Sequence, residues 1–269
     1  MAMLQVDGAG REIYYEHYSG DKTPVLLIHG WAMSCRVWDN VTRVLVEAGH
    51  EVIVFDQRGC GRSDKDFDDA SIAAGVADVV KLVDTLKVQS VVLNGWSLGG
   101  AIAVAAADSL GERCKGLVLT CAATPRYEQS ADFPHGVPEG GVAGTVDMFN
   151  QNPLVFLHQL AQGVCAKDPG EGVVDWMAGL FKESGPLVGA SIAELGVVDQ
   201  RDIMKSLSIP VLNIIGAKDG VADPEVGRYA QSIQKHGELV DFEDCGHAPF
   251  IEDFPRYQAE LSRFLDNIN

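Results

Sequence analysis

Residues 95 to 100 read Gly95-Trp96-Ser97-Leu98-Gly99-Gly100, directly after the apolar run Val91-Val92-Leu93 and directly before Ala101-Ile102-Ala103-Val104-Ala105-Ala106-Ala107. A serine at a sharp turn from strand to helix has its hydroxyl thrust into the open. Small residues at 95 and 99 are what let strand and helix approach closely enough to make that turn. The chemistry predicted for Ser97 is nucleophilic attack on a carbonyl carbon. A hydroxyl is a poor nucleophile at neutral pH, so the same chain must supply a base, a group to orient the base, and donors for the developing oxyanion.

Seven histidines are available as base. His247, in Cys245-Gly246-His247-Ala248-Pro249-Phe250, follows the last strand-like run and is the expected base. His29 precedes Gly30 at a strand end and is read as a brace for its loop; His17, His50, His135, His158 and His236 are read as solvated or locally bonded. Asp219, in Gly216-Ala217-Lys218-Asp219-Gly220-Val221, follows another apolar run and completes the order Ser, Asp, His. Its nearest rival, Asp223, precedes Pro224 and reads as a helix N-cap. The backbone N–H of Leu98 opens the helix after the serine and is one expected oxyanion donor; the N–H of Trp31, in the tight turn His29-Gly30-Trp31, is the other.

These residues need a scaffold that delivers loops to one edge. Val25-Leu26-Leu27-Ile28, Val52-Ile53-Val54-Phe55, Val91-Val92-Leu93, Leu117-Val118-Leu119 and Val211-Leu212-Asn213-Ile214-Ile215 are short continuous apolar runs, the pattern of parallel strands buried on both faces. Helical patterns fall between them, near 37–48, 71–87 and 98–110, and an N-terminal hairpin precedes them. The alternation stops near Pro125 and resumes near Pro210. Residues 126–203 hold only amphipathic pieces such as 146–163 and 173–183, which predicts a helical cap inserted into the sheet. The last segment returns to helix 224–236, strand 239–242 and a final helix from about Pro255 to Ile268.

The chain has 269 residues, 46% of them hydrophobic, enough for one large core. A net charge of −17 repels nucleic acid and anionic membranes. The first residues carry neither a basic start nor an apolar block, so a cytoplasmic location is expected. Six cysteines without C-x-x-C spacing read as buried, reduced thiols, and neither a metal nor an organic cofactor is expected.

In order along the chain, His29-Gly30-Trp31, Asp56-Gln57-Arg58-Gly59-Cys60-Gly61-Arg62-Ser63, Gly95 to Gly100, the Asp219 loop and Gly246-His247 resemble the landmarks of the α/β-hydrolase superfamily over nearly the whole chain. The resemblance implies an α/β-hydrolase fold: a mostly parallel eight-stranded sheet, helices on both faces, and an inserted helical cap. The expected division is a core of 1–124 and 204–269 with a cap of 125–203. The Asp56 to Ser63 segment is a structural turn in that family, so neither Arg58 nor Asp64 is given a catalytic role.

Within the superfamily the chain is most similar to the carboxylesterases that demethylate pimeloyl carrier-protein methyl ester in biotin synthesis, through the HGW loop, the GWSLGG turn, Ala122-Ala123-Thr124-Pro125 and His247-Ala248-Pro249-Phe250. This implies a serine carboxylesterase acting on small to medium acyl esters. Trp31 and Trp96 are then expected near the serine, with Met148, Phe149 and Phe156 of the cap as further pocket candidates. An acyl carrier protein is the partner in that group, but the cap offers only Arg126, Lys167, Lys182 and Arg201 against at least ten acidic residues, which disfavours an acidic partner. Carbon–carbon bond hydrolysis, enol-lactone hydrolysis, perhydrolysis and slow-turnover ligand sensing use the same framework and stand as alternatives.

Overall fold

Each apolar run of the sequence forms a strand, and the pairing of these strands decides where the loops converge. The computed structural model describes residues 1–268. Its strands are β1 (Ala2–Gln5), β2 (Glu12–Tyr18), β3 (Lys22–Ile28), β4 (His50–Phe55), β5 (Val91–Trp96), β6 (Cys114–Thr120), β7 (Val211–Gly216) and β8 (Gly237–Phe242). They make one 8-stranded sheet in the order β1-β2-β4-β3-β5-β6-β7-β8. The β1–β2 and β2–β4 pairs are antiparallel; from β4 to β8 every neighbouring pair is parallel. Val25 to Ile28, Val91 to Leu93 and Leu117 to Leu119 are buried, as continuous apolar strands covered on both faces must be.

Helices α1 (Asp39–Glu47), α2 (Ile72–Thr85) and α3 (Leu98–Leu110) connect the first parallel strands. Five more, α4 (Gly141–Gln151), α5 (Pro153–Gly163), α6 (Glu171–Lys182), α7 (Gly189–Ala193) and α8 (Arg201–Ser206), lie between β6 and β7, and α9 (Pro224–Ile233), α10 (Pro249–Glu252) and α11 (Phe254–Asp266) complete the chain. Helix α3 is buried on nearly every side, which its Ala and Gly content permits by letting neighbours approach closely. The stretch 146–163, which has one amphipathic pattern in the sequence, is divided between α4 and α5. Pro153 cannot donate into a preceding turn, and Asn152 leaves helical geometry at φ −152° to cap α5 by accepting from Val155 N at 3.4 Å. Helix α8 packs against α3 and α9, so the chain has rejoined the sheet layers by residue 201.

The six cysteines are all buried and unpaired. Burial pushes the thiols of Cys60, Cys114 and Cys165 up to about 12 and that of Cys245 up to about 11. The thiolate is the reactive form. A chromogenic disulfide reagent at pH 8 is therefore expected to react slowly with the folded protein and to count six thiols after denaturation; one rapid equivalent in the folded state would show a cysteine more open than this. Among the described residues no helix is long and apolar enough to cross a membrane.

Candidate active site

From β3 the chain moves to β4 on one side, then crosses to β5 on the other side of β3. Loops leaving the carboxyl ends of β3 and β5 therefore diverge and open a crevice between them. His29-Gly30-Trp31 leaves β3 there, and Ser97 leaves β5. Ser97 sits at φ 57°, ψ −124°, a conformation that costs an L-residue on the order of 1–3 kcal/mol and persists only where its surroundings impose it. Here the surroundings are β6 and two glycines. Ser97 N donates to Thr120 O at 3.1 Å, and Ser97 O accepts from Ala123 N at 3.0 Å and Gly100 N at 2.9 Å. A Cβ at Gly95 would strike the Gly99 carbonyl, and one at Gly99 would strike those of Ile28 and His29, so the first turn of α3 can lie against both β5 and β3 only with glycine at both places. A Cβ at Gly30 would come within 3.2 Å of Ser97 Cβ, a measure of how closely the β3 loop approaches the serine.

Asp219 follows β7 and His247 follows β8, bringing both to the same edge of the sheet. His247 Nδ1 donates to Asp219 Oδ2 at 2.7 Å, with both side chains buried. Asp219 Oδ1 accepts from Val221 N at 2.8 Å and Ala222 N at 2.9 Å, which fixes the carboxylate before the histidine meets it. The His247 loop is tied down on three sides. Trp96 Nε1 donates to His247 O at 2.7 Å, His247 N donates to Val164 O at 2.8 Å, and Gly246 N donates to Glu252 Oε1 at 2.7 Å. The Trp96 and His247 rings lie 5.3 Å apart.

Ser97, His247, Trp31, Trp96 and Phe156 line one cavity of about 230 Å³. Leu98 begins α3, where the first backbone N–H groups have no partner within the helix and can serve an anion. Met148 and Phe149 depart from expectation. Met148 is 54% exposed, and Phe149 is buried behind Trp31 with ring centroids 5.3 Å apart; neither lines the cavity. Successive helical residues are turned by about 100°, so when Phe149 of α4 packs inward against Trp31 and Gly189, Met148 is carried outward. Tyr127, Leu160, Phe181, Ile192, Leu195 and Val221 line the cavity without having been singled out in the sequence, where they are indistinguishable from ordinary core residues.

The rivals have other work. Asp223 accepts from Glu225 N at 3.0 Å and Gly136 N at 2.9 Å, capping α9 and holding the start of the cap segment. His29 accepts from Gln57 N at 3.0 Å through Nε2, which leaves Nδ1 to donate to Gly30 O at 2.7 Å; burial holds its ionisation below the usual histidine range, and the neutral ring braces the β3 loop. Asp56 accepts from Cys35 N at 2.6 Å and Arg62 N at 2.8 Å, and Arg58 forms a two-pronged pair with Asp78 at 2.7 Å, so this segment is structural. Asp64 accepts from Glu12 N at 2.7 Å. Cys121, Asp219 and His247 bring sulfur, oxygen and nitrogen within 4.8 Å of one another, a donor set of metal-binding type. The 2.7 Å hydrogen bond spends the imidazole and carboxylate atoms on each other instead.

The α/β hydrolase fold profile matches residues 23–254, most of the chain. The chain belongs to the α/β-hydrolase family. This α/β-hydrolase is 25% identical over 259 residues to a pimeloyl-[acyl-carrier protein] methyl ester esterase of Aliivibrio salmonicida, covering 93% of this chain and 95% of the relative. It is 27% identical over 266 residues to a bifunctional esterase/perhydrolase of Acinetobacter calcoaceticus, covering 95% and 96%. Among solved structures, an esterase from Exiguobacterium antarcticum superposes with a TM-score of 0.93 at 26% identity, covering 98% of each chain.

Proposed function

We propose that this α/β-hydrolase is a serine carboxylesterase for uncharged esters with a compact, apolar acyl group. The observation that carries the reading is the hydrogen-bonded Asp219–His247 pair opening into the same cavity as the strained Ser97. In this mechanism His247 takes the Ser97 proton as the hydroxyl oxygen attacks the ester carbonyl. Asp219 holds the imidazole in the tautomer that can accept that proton and stabilises the imidazolium that results. The N–H groups of Leu98 and Trp31 receive the oxyanion, each such donor contributing about 3 kcal/mol to the transition state. The imidazolium protonates the departing alcohol, and His247 then activates water to release the acid. No cofactor enters these steps.

The cavity wall supports the substrate class. Among the described residues no charged side chain lines it. Its remaining side-chain donors are already committed: Trp31 Nε1 to Val188 O, Trp96 Nε1 to His247 O, Tyr127 Oη to Val221 O and Thr145 Oγ1 to Gly141 O. A carboxylate on the acyl chain, which can only accept, would lose water and find no free side-chain donor there in return. A cavity of about 150 Å³ accepts benzene; at about 230 Å³ this one suits an acyl group somewhat larger. A carrier-protein substrate is disfavoured on charge. Arg201 is paired with Asp132 and Asp199, Arg126 with Asp199, and Lys167 shares Asp244 with Lys218, so three of the four cap cations already face a carboxylate within the chain.

A panel of p-nitrophenyl esters and dicarboxylic acid methyl esters, with Ser97→Ala as control, tests the reading. We expect Ser97-dependent turnover with an optimum at intermediate acyl length, and at least tenfold lower kcat/KM for acyl chains ending in a free carboxylate. Absence of turnover on every ester would sink it and leave carbon–carbon bond hydrolysis or ligand sensing. Equal turnover of charged and neutral acyl chains would sink the substrate class alone.

A further inference from the structure

One buried thiol stands beside the acid and the base with no part in the chemistry above. Strands β6, β7 and β8 are neighbours, so the residue leaving β6 meets the loops that leave the other two. That residue is Cys121, held at φ 41°, where an L-residue is rarely found, with its N–H donated to Ile214 O of β7 at 2.8 Å. Its Sγ lies within 4.8 Å of both an Asp219 carboxylate oxygen and a His247 ring nitrogen, and 3.6 Å from the carbonyl oxygen of Gly246. Burial, with the Asp219 charge close by, drives the thiol's ionisation well above its ordinary range, so it keeps its proton. Asp219 already accepts two N–H groups at Oδ1 and the imidazole at Oδ2. A carboxylate has about four acceptor sites, which leaves one on the Oδ2 side.

Resting on the reading of Ser97, Asp219 and His247 as the catalytic set, we propose that Cys121 is a positioning residue whose S–H, shared between Asp219 and the Gly246 carbonyl, holds the acid in register with the base loop. A donor on Asp219 draws charge from the oxygen that faces His247. Without it the carboxylate grips the imidazolium more tightly, the ring gives up its proton less readily, and the acid limb of kcat/KM moves to higher pH. The other ionisable groups facing this point are Tyr127, whose hydroxyl is donated to Val221 O at 2.6 Å, Tyr257 of α11, whose hydroxyl accepts from Asn94 Nδ2 at 3.0 Å and bonds Thr120 Oγ1 at 2.9 Å, Cys245 in the base loop, and Glu252 of α10, which accepts from Gly246 N and Ala166 N at 2.7 Å. All four are unchanged in the variants below, so a difference between variants reports on residue 121.

The test compares pH profiles of the full-length wild type with Cys121→Ala, Cys121→Gly and Cys121→Ser. Glycine suits the positive φ and so offsets part of the cost of the lost side chain, keeping a thiol-free protein available if the alanine variant folds poorly. Ala and Gly are expected to raise the midpoint of the acid limb by about half a pH unit and to lower kcat about fivefold, with KM within about twofold of wild type. Ser, a hydroxyl donor in the same place, is expected to bring the midpoint most of the way back. A residue that merely fills space would alter stability without moving the limb. An unmoved limb in all three variants, or a Ser variant shifted as far as Ala, overturns the proposal. NMR titration of the His247 ring in the same proteins gives this readout without turnover. Inactivity of the wild type on every ester would therefore count against the esterase, while the ring titration still decides the role of Cys121.

Discussion

Replacing Ser97 with alanine is expected to lower kcat for ester hydrolysis by about 10⁵- to 10⁶-fold, as loss of the nucleophile does in serine hydrolases generally, while leaving the fold intact. The substitution removes one oxygen from a side chain that faces a cavity. Alanine suffers the same strain at φ 57° as serine, and the backbone bonds that impose the turn, from Ala123 N and Gly100 N to the carbonyl of residue 97 and from its N–H to Thr120, do not involve the hydroxyl. Circular dichroism and thermal melting should therefore match wild type within about 1 kcal/mol. Steady-state hydrolysis of a p-nitrophenyl ester measures the loss. Retention of even a hundredth of the wild-type rate, with contamination excluded by repeat purification, would show that the attacking group is not Ser97.

Asp219→Asn should lower kcat by about 10⁴-fold with little effect on KM. The reason is a proton in the wrong place. The amide oxygen of an asparagine would be retained by Val221 N and Ala222 N, which now donate to Oδ1, and its NH₂ would then face His247 Nδ1 at the 2.7 Å position. Two donors cannot share that contact, so the ring would settle with its proton on Nε2, toward the cavity, and could no longer take one from Ser97. The shape is conserved and the protein should fold normally. A loss of less than about tenfold would remove Asp219 from the role of orienting acid. Asp223 is a poor substitute, since both its oxygens already hold backbone N–H groups of the α9 start and the cap segment.

What could be read from the sequence follows from how each feature is encoded. Parallel strands covered on both faces must be apolar without interruption, so β3 to β7 stood out as runs, and the alternation with α1 to α3 gave the sheet architecture. Ser97 was legible because its turn demands glycine at 95 and 99 for steric reasons that composition alone seldom mimics. The cap was legible only as helical. Which face of α4 turns inward depends on Trp31 and Gly189, partners distant in sequence, so the periodicity could not separate Phe149, inside, from Met148, outside. Cys121 left no signal at all. A cysteine ending an apolar strand looks like any small core residue, and its place beside Asp219 emerges only once β6, β7 and β8 are known to be neighbours.

The spacing of the site along the chain has a consequence for synthesis. Ser97 lies in the first half of the chain, whereas His247 follows β8, an edge strand and the last of the eight to be made. Domains are built from the N-terminus as the ribosome delivers them, at about 5–20 residues per second. Through most of that time the nascent polypeptide carries the Ser97 hydroxyl without His247, the base of the proposed mechanism. On the proposed mechanism it would be harmless to esters until the final edge of the sheet docks, and the onset of turnover would report completion of the fold, not its beginning.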